Sequence, residues 1–186
     1  MSLPYKPTGK TAIIIVPPPD ICAYADHYRK LYMHDKVATI EPHVTVLSPF
    51  VPYEELAEAE PKLREALTEC PPRRLSLRGF RMFPESGVLY LGLADHERVL
   101  SIYRAIYARF PEYPAYGGQF GHGFTPHMTV GIFSDPAELE RVHEELSVQK
   151  LYIGFDVGQV VVKYETDDGV WDTWAELPLG EGATAR

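Results

Sequence analysis

The sequence predicts an α+β fold of two related lobes, each a mainly antiparallel sheet with outer helices, set around a central cleft. Three observations carry that expectation. Runs with strand-like alternation or β-branched composition are interleaved with runs at helical spacing. Short turn-rich segments join some of the strands as hairpins, which fits antiparallel pairing better than a doubly wound parallel sheet. The phrase Pro-His-X-Thr-Val is written twice, at Pro42–Val46 and Pro126–Val130, about half a chain apart. A repeat on that scale suggests one long duplication about a pseudo-twofold axis, not a solenoid. At 186 residues the chain is expected to form one domain over 1–186, made of two pseudo-symmetric lobes.

The elements follow in order. "TAIIIVPP", from Thr11, is a β-branched run stopped by Pro17, Pro18 and Pro19, and reads as a buried strand. Asp20 is placed to cap a helix running to about Met33, with Ile21, Tyr24, Tyr28 and Leu31 on one face. The first motif lies in the strand-like "HVTVLSPF". The next helix carries Leu56, Ala59, Leu63 and Leu67 at helical spacing, and Pro61 within it predicts a kink or break. "RLSLRGFRMF", "PESG" and "VLYLGL" read as a hairpin. Asp95 can then cap a helix whose inner face is Val99, Ile102, Tyr103, Ile106 and Phe110. The proline- and glycine-rich stretch Pro111–Phe124 is a loop, long enough to suggest a functional role. It leads into the second motif strand. Asp135, Pro136 and Glu138 mark the start of another helix as cap, first position and capping box. "LYIGFDVGQVVVKYE" and "VWDTWAELPL", joined by Asp167-Asp168-Gly169, read as a closing hairpin, and the tail "GEGATAR" as frayed.

Composition bounds the function. The chain is 45% hydrophobic and 12% aromatic, as globular proteins are. A formal charge of −8 and a pI near 5.3 argue against neutralising the phosphates of a long nucleic acid. They leave room for a nucleotide or an RNA end. Arg73, Arg74, Arg78 and Arg81 form the clearest basic cluster and read as a solvated strand edge. Cys22 and Cys70 make no Cys-X-X-Cys motif and read as buried, reduced thiols. "AIIIVPPP" is too short for a signal sequence, and no apolar run approaches a membrane span, so a cytoplasmic setting and no membrane partner are expected.

In a strand, residues i and i+2 share a face. His43 and Thr45 therefore point one way and Val44 and Val46 the other; His127 and Thr129 are likewise opposed to Met128 and Val130. The apolar residues can enter the core while the polar pairs face each other across the twofold. Two imidazoles titrating near neutrality can divide acid and base work. Two threonine hydroxyls can donate to the non-bridging oxygens of a phosphate as charge grows on them. A phosphodiester with a good internal leaving group, such as a 2′,3′-cyclic phosphate, suits this set, and no metal or other cofactor is required.

Paired His-X-Thr motifs separated by about half the chain resemble those of the 2H phosphoesterase superfamily, which includes bacterial 2′–5′ RNA ligase-like proteins and cyclic phosphodiesterases. The segment "GFRMFPESGVLYLGL" between the motifs also looks like that family. The resemblance implies a bilobal fold with a central cleft and metal-independent catalysis by His43 and His127, with Thr45 and Thr129 holding phosphate. It implies hydrolysis of a cyclic phosphate to a 2′-phosphate, with 2′–5′ ligation as a related activity. By the same resemblance His43 would protonate the leaving 3′-oxygen and His127 activate water; the twofold makes the reverse equally sensible. The family's RNA-processing members usually carry more basic residues near the cleft, so a long RNA substrate is not expected here. The expected partner is a nucleotide or RNA terminus bearing a cyclic phosphate, and the expected state is a monomer.

Other residues and readings stand beside these. Phe50, Tyr116, Phe124 and Trp171 are candidate base-stacking aromatics, although packing accounts for each as well. His122 reads as a solvated loop residue, and His27, His34, His96 and His143 as surface residues. A nucleotide-binding module with little turnover is the alternative; it would have no need of two proton-transfer groups. A metalloenzyme is weaker, since the chain holds no His-X-X-X-His cluster.

Overall fold

The structure is a computed structural model and describes residues 5–33, 39–121 and 123–180. The elements run β1 (Pro7–Ile15), α1 (Pro19–Tyr32), β2 (Val44–Leu47), α2 (Leu56–Thr68), β3 (Arg73–Phe83), β4 (Val88–Leu93), α3 (Glu97–Arg109), β5 (His127–Ile132), α4 (Pro136–Ser147), β6 (Tyr152–Val157), β7 (Gln159–Thr166) and β8 (Trp171–Pro178). They form two four-stranded sheets, ordered β2-β1-β7-β8 and β5-β4-β3-β6. Every neighbouring pair is antiparallel, so the α+β expectation holds.

The duplication is visible in the topology. β1-α1-β2 and β4-α3-β5 are the same unit: a strand, a crossing helix, then an edge strand paired to the first and carrying the motif. The helices are exchanged, with α1 packing on β5 and α3 on β2. The lobes are therefore not the two halves of the chain. One sheet takes its strands from both ends of the sequence, while the other is built from residues 73–157. The run from Leu151 to Glu165, read as one hairpin arm, is two strands: β6 belongs to the second sheet, and at Gly158 the chain crosses to the first as β7. The carbonyl of Gly158 accepts from the Leu179 amide (2.8 Å), tying this crossing to the end of β8.

The inward faces of both sheets and the apolar faces of all four helices meet in one buried cluster, including Ile13, Ile15, Val46, Leu63, Leu77, Leu91, Ile102, Val130 and Val142. Side chains of this size contribute about 1.5–3 kcal/mol each when fully buried. The seam of α1 differs from the sequence reading: Ile21, Ala25 and Tyr28 are buried and continue to Tyr32, which packs on Phe133, while Leu31 is 52% exposed. Packing on β5 selects this i, i+4, i+7, i+11 stripe. α1 starts at Pro19 behind Pro18, so Asp20 lies inside the first turn, where its charge meets the helix dipole, and is not the cap.

Pro61 does not break α2. Pro61 and Ala57, whose carbonyl loses its intrahelical donor, both lie on the exposed side where water can satisfy it. At α3 the cap position is His96, and the Asp95 carboxylate accepts from the Glu97 amide (3.1 Å). Asp135 caps α4 as expected, accepting from the Ala137 amide (3.0 Å).

The β3–β4 turn ends at Gly87 with φ +69°, and a Cβ there would lie 2.1 Å from the Phe133 carbonyl oxygen. The Gly87 carbonyl accepts from the Phe133 amide (2.8 Å), fixing the end of β5. Gly87→Ala is expected to cost about 1–3 kcal/mol through strain and this clash; a lowered urea midpoint at unchanged m would show it, and an unchanged midpoint would refute it.

Candidate active site

β2 and β5 are each the edge strand of their sheet, and the two edges lie against each other. Alternation splits the motifs as their spacing requires. Val44, Val46, Met128 and Val130 have no exposed surface. His43, Thr45, His127 and Thr129 are half-buried on the opposite faces. Thr45 is in register with Ile14, His127 with Gly92 and Thr129 with Tyr90.

The repeated proline has a local meaning. His43 Nδ1 lies 2.7 Å from the Glu41 carbonyl oxygen, and His127 Nδ1 lies 2.8 Å from that of Thr125. Each bond reaches back across the intervening Pro42 or Pro126. A carbonyl only accepts, so Nδ1 carries the proton in both rings and the Nε2 lone pair is the free one. Proline fixes its own φ and offers no N–H to the ladder, which suits the entry to an edge strand.

Burial is the main cause that lowers the pKa of both imidazoles below the ordinary value of 6.5, opposed by these backbone hydrogen bonds. His43 is lowered further by the charges of Arg29 and His127 and raised by Glu41. His127 is lowered further by His96. The two motif rings therefore lie within electrostatic range of each other.

The segment entering His43 is pinned by two buried cations. Arg29 is 2% exposed; it pairs with Asp26 (2.7 Å) and donates to the Ile40 carbonyl. Lys163 is 5% exposed and pairs with Glu41 (2.6 Å). On the other side, His127 is boxed by aromatics. Phe83 stacks on Tyr90 with centroids 4.3 Å apart, and their rings lie 5.0 and 5.1 Å from the imidazole. The Pro/Gly-rich loop closes on the first motif. The Tyr116 backbone has φ 54°, its amide donates to the Ser48 carbonyl (2.6 Å), and its phenol has the Thr45 hydroxyl as side-chain partner. Burial raises the Tyr116 pKa, and the Thr45 contact opposes that rise.

The other candidates scatter. Tyr116 reaches the first motif, and Phe124 packs on it. Phe50 is core, against Phe110 and Tyr113. Trp171 packs against the small cluster of Ala12, Ile14 and Val161. His27 is exposed and His143 half-buried on α4. His96 is not a plain surface residue: its Nε2 is shielded from solvent and has no hydrogen-bond partner among the described residues. His34, His122 and the tail beyond Gly180 lie outside the described residues. Among the described residues, no group of three or more His, Cys, Asp and Glu is placed to hold a metal, and no helix is long and apolar enough to cross a membrane.

Sequence reasoning missed Phe83, Tyr90, Arg29 and Lys163. A charge at a core position of α1 and a lysine within the apolar run of β7 were the available signals for the two cations. Phe83 and Tyr90 offered none, because they look like any strand aromatic until register places them beside His127.

With this geometry in place, comparison with known families is decisive. A family model described as the 2′-5′ RNA ligase superfamily matches residues 17–169. The chain belongs to this superfamily, the 2H phosphoesterases. Within it, the chain is 27% identical over 173 residues to a Geobacillus kaustophilus protein named as a candidate phosphoesterase, covering 92% of this chain and 96% of that one. Its fold is that of E. coli LigT, solved in complex with 3′-AMP, at TM-score 0.63 and 15% identity over 94% of this chain and 99% of LigT. It is similarly close to TT0787 of Thermus thermophilus, at TM-score 0.63 and 17% identity over 92% and 99% of the two chains.

The lowered imidazole pKa values predict proton uptake. At pH 7.5 both free rings are neutral, and a bound phosphate anion stabilises the protonated form of either. An anion that binds between the rings should therefore be accompanied by proton uptake, seen as a buffer-dependent calorimetric enthalpy and lost in the His43→Gln/His127→Gln double variant. No net uptake would mean that both rings stay neutral beside phosphate.

Proposed function

We propose that this superfamily member is a metal-independent phosphodiesterase that opens 2′,3′-cyclic phosphates, on a nucleotide or an RNA end, to 2′-phosphates. The observation that carries the reading is the matched pair of imidazoles, each holding its Nδ1 proton on a backbone carbonyl and leaving Nε2 free. In the proposed reaction His127 Nε2 takes a proton from water as its oxygen attacks phosphorus. The P–O3′ bond breaks, and protonated His43 gives its proton to the leaving oxygen. Thr45 and Thr129 donate to the non-bridging oxygens, where charge accumulates in the transition state. The twofold permits the reverse assignment; His43 as acid follows the family resemblance.

The ligand in the LigT structure, 3′-AMP, supports a pocket of nucleoside-phosphate size. If a 5′-hydroxyl replaced water, the same steps would form a 2′–5′ linkage, so ligase activity is the natural companion. Both sheets of one chain supply the site and share one core, which supports a single-domain enzyme acting as a monomer. The free thiols Cys22 and Cys70 suit a cytoplasmic setting.

Turnover of 2′,3′-cyclic nucleotides in EDTA, with products read by phosphorus NMR, tests the proposal. His43→Ala and His127→Ala should each lose roughly 10²–10⁴-fold in kcat, and a 2′-phosphate product identifies O3′ as the leaving atom. The variant lacking the base should also lose the acidic limb of the kcat/KM profile, which assigns the roles. An inert wild type that still binds 3′-AMP would leave a binding module instead.

A further inference from the structure

The face that carries His127 and Thr129 does not end at β5. Register extends it across the second sheet. His127 lies opposite Gly92, Thr129 opposite Tyr90, and Tyr90 opposite Arg81. In β3 the pairing shifts between Leu77 and Phe80, so Arg78 and Gly79 are the extra residues facing Gly92. Leu77 and Phe80 stay buried, and Arg78 and Arg81 are exposed on the motif face. Arg78 in turn lies opposite Tyr152 of β6, which is 69% exposed. β3 is thus an inner strand, and its arginines are not the edge residues that the sequence suggested.

The Arg81 side chain lies along this face toward the motif. A Cβ on Gly92 would come within 2.9 Å of Arg81 Cδ and Nε, so the arginine stem occupies the space above the register partner of His127. His96 joins the same neighbourhood: the Arg81 charge lowers its pKa after burial does, and His96 acts on His127.

Charge then separates two adjoining hollows. One, of about 430 Å³, contains Arg74 and Arg98, which are paired with Asp156 and Asp95. The other, of about 440 Å³, is lined by Arg78, Arg81, Lys150 and Tyr152 among others. None of its three cations has a carboxylate partner among the described residues. In a chain with 26 acidic and 18 basic residues, three unpaired cations around one hollow are an anion site in waiting. Strands are about 4.8 Å apart, so the Arg78 backbone is roughly 10 Å across the sheet from that of His127, near enough for a long side chain to reach a phosphate beside one held at the motif.

We propose that Arg78, Arg81 and Lys150 form a second phosphate subsite, with Tyr152 as a stacking surface beside it. The preferred substrate then carries a second phosphate on the 5′ side of the ribose that bears the cyclic phosphate. This rests on the reading of the motif face as a phosphodiesterase site, and it names the substrate as a short oligoribonucleotide end over a bare cyclic mononucleotide. A free 5′-phosphate and an internal phosphodiester offer the same chemistry to the subsite, and the assay separates them.

Two measurements on the full chain test it. Calorimetry compares adenosine 3′-phosphate with adenosine 3′,5′-bisphosphate on wild type, Arg81→Gln, Arg78→Gln/Lys150→Gln and Arg81→Lys. Wild type should prefer the bisphosphate, and each removed cation should shrink that preference by roughly tenfold, the scale of one charge-assisted bond, with partial recovery in Arg81→Lys. Kinetics then compare kcat/KM on 2′,3′-cyclic AMP, its 5′-phosphate and a dinucleotide ending in a cyclic phosphate. The variants should lose at least tenfold more on the second-phosphate substrates than on cyclic AMP, and the better of those two names the source. No bisphosphate preference, or one that survives the variants, overturns the subsite whether or not cyclic phosphates are opened. A preference that the variants erase in a protein that opens no cyclic phosphate keeps the subsite and removes the hydrolytic reading.

Discussion

A bond from an imidazole Nδ1 to a carbonyl two residues earlier, across a proline, is the constraint on which the site depends. It sets the tautomer, and with it which nitrogen is free to exchange protons. Net, such a bond is worth about 0.5–1.5 kcal/mol, but its geometric value is larger, because an imidazole able to rotate would present either nitrogen. The bond needs the chain to turn immediately before the histidine and the strand to begin at it, as in β5, or just after it, as in β2. Val44 and Val46 then anchor one motif in the core, and Met128 and Val130 the other. The Pro-His-X-Thr-Val phrase meets these needs within five residues, and it does so in both copies.

Helix exchange keeps the two copies aligned. If each helix packed only on its own unit, the lobes could slide and the imidazoles would separate. Instead α1 packs on β5, and α3 packs on β2. Each motif strand is thus buttressed by the helix of the other unit. The aromatic pair Phe83–Tyr90 and the Tyr116 loop add contacts that the duplication does not repeat, so the twofold of the scaffold is broken at the site itself.

Local patterns were legible in the sequence, and long-range placement was not. The alternation within the motifs, the β3–β4 hairpin, the α4 cap and the inner face of α3 all follow from spacing over a few residues. The seam of α1 was misread because Leu31 and Tyr32 satisfy helical periodicity almost equally, and only the position of β5 and Phe133 chooses between them. The division of the last apolar run into β6 and β7 turns on Gly158, a residue that in isolation looks like any strand glycine. Arg78 and Arg81 read as solvated charges because their strand neighbours, and hence Gly92 and Tyr152 beside them, are set by a pairing shift that no local pattern announces.

Electrostatics close the account of the free site. Glu41 is the acidic side chain whose charge raises His43, and it is held by buried Lys163, while Arg29 pushes the ring the other way. His127 has another histidine, not a carboxylate, as the charge acting on it. On both rings the cost of burial therefore outweighs the groups that favour the proton. In the proposed reaction the acid must gain its proton together with the phosphate, whose negative charge is what makes an imidazolium favourable there. On that proposal both groups rest in the basic form, and the substrate selects which of them becomes the acid. Of the two buried cations, Arg29 contributes directly by lowering His43, besides pinning the chain.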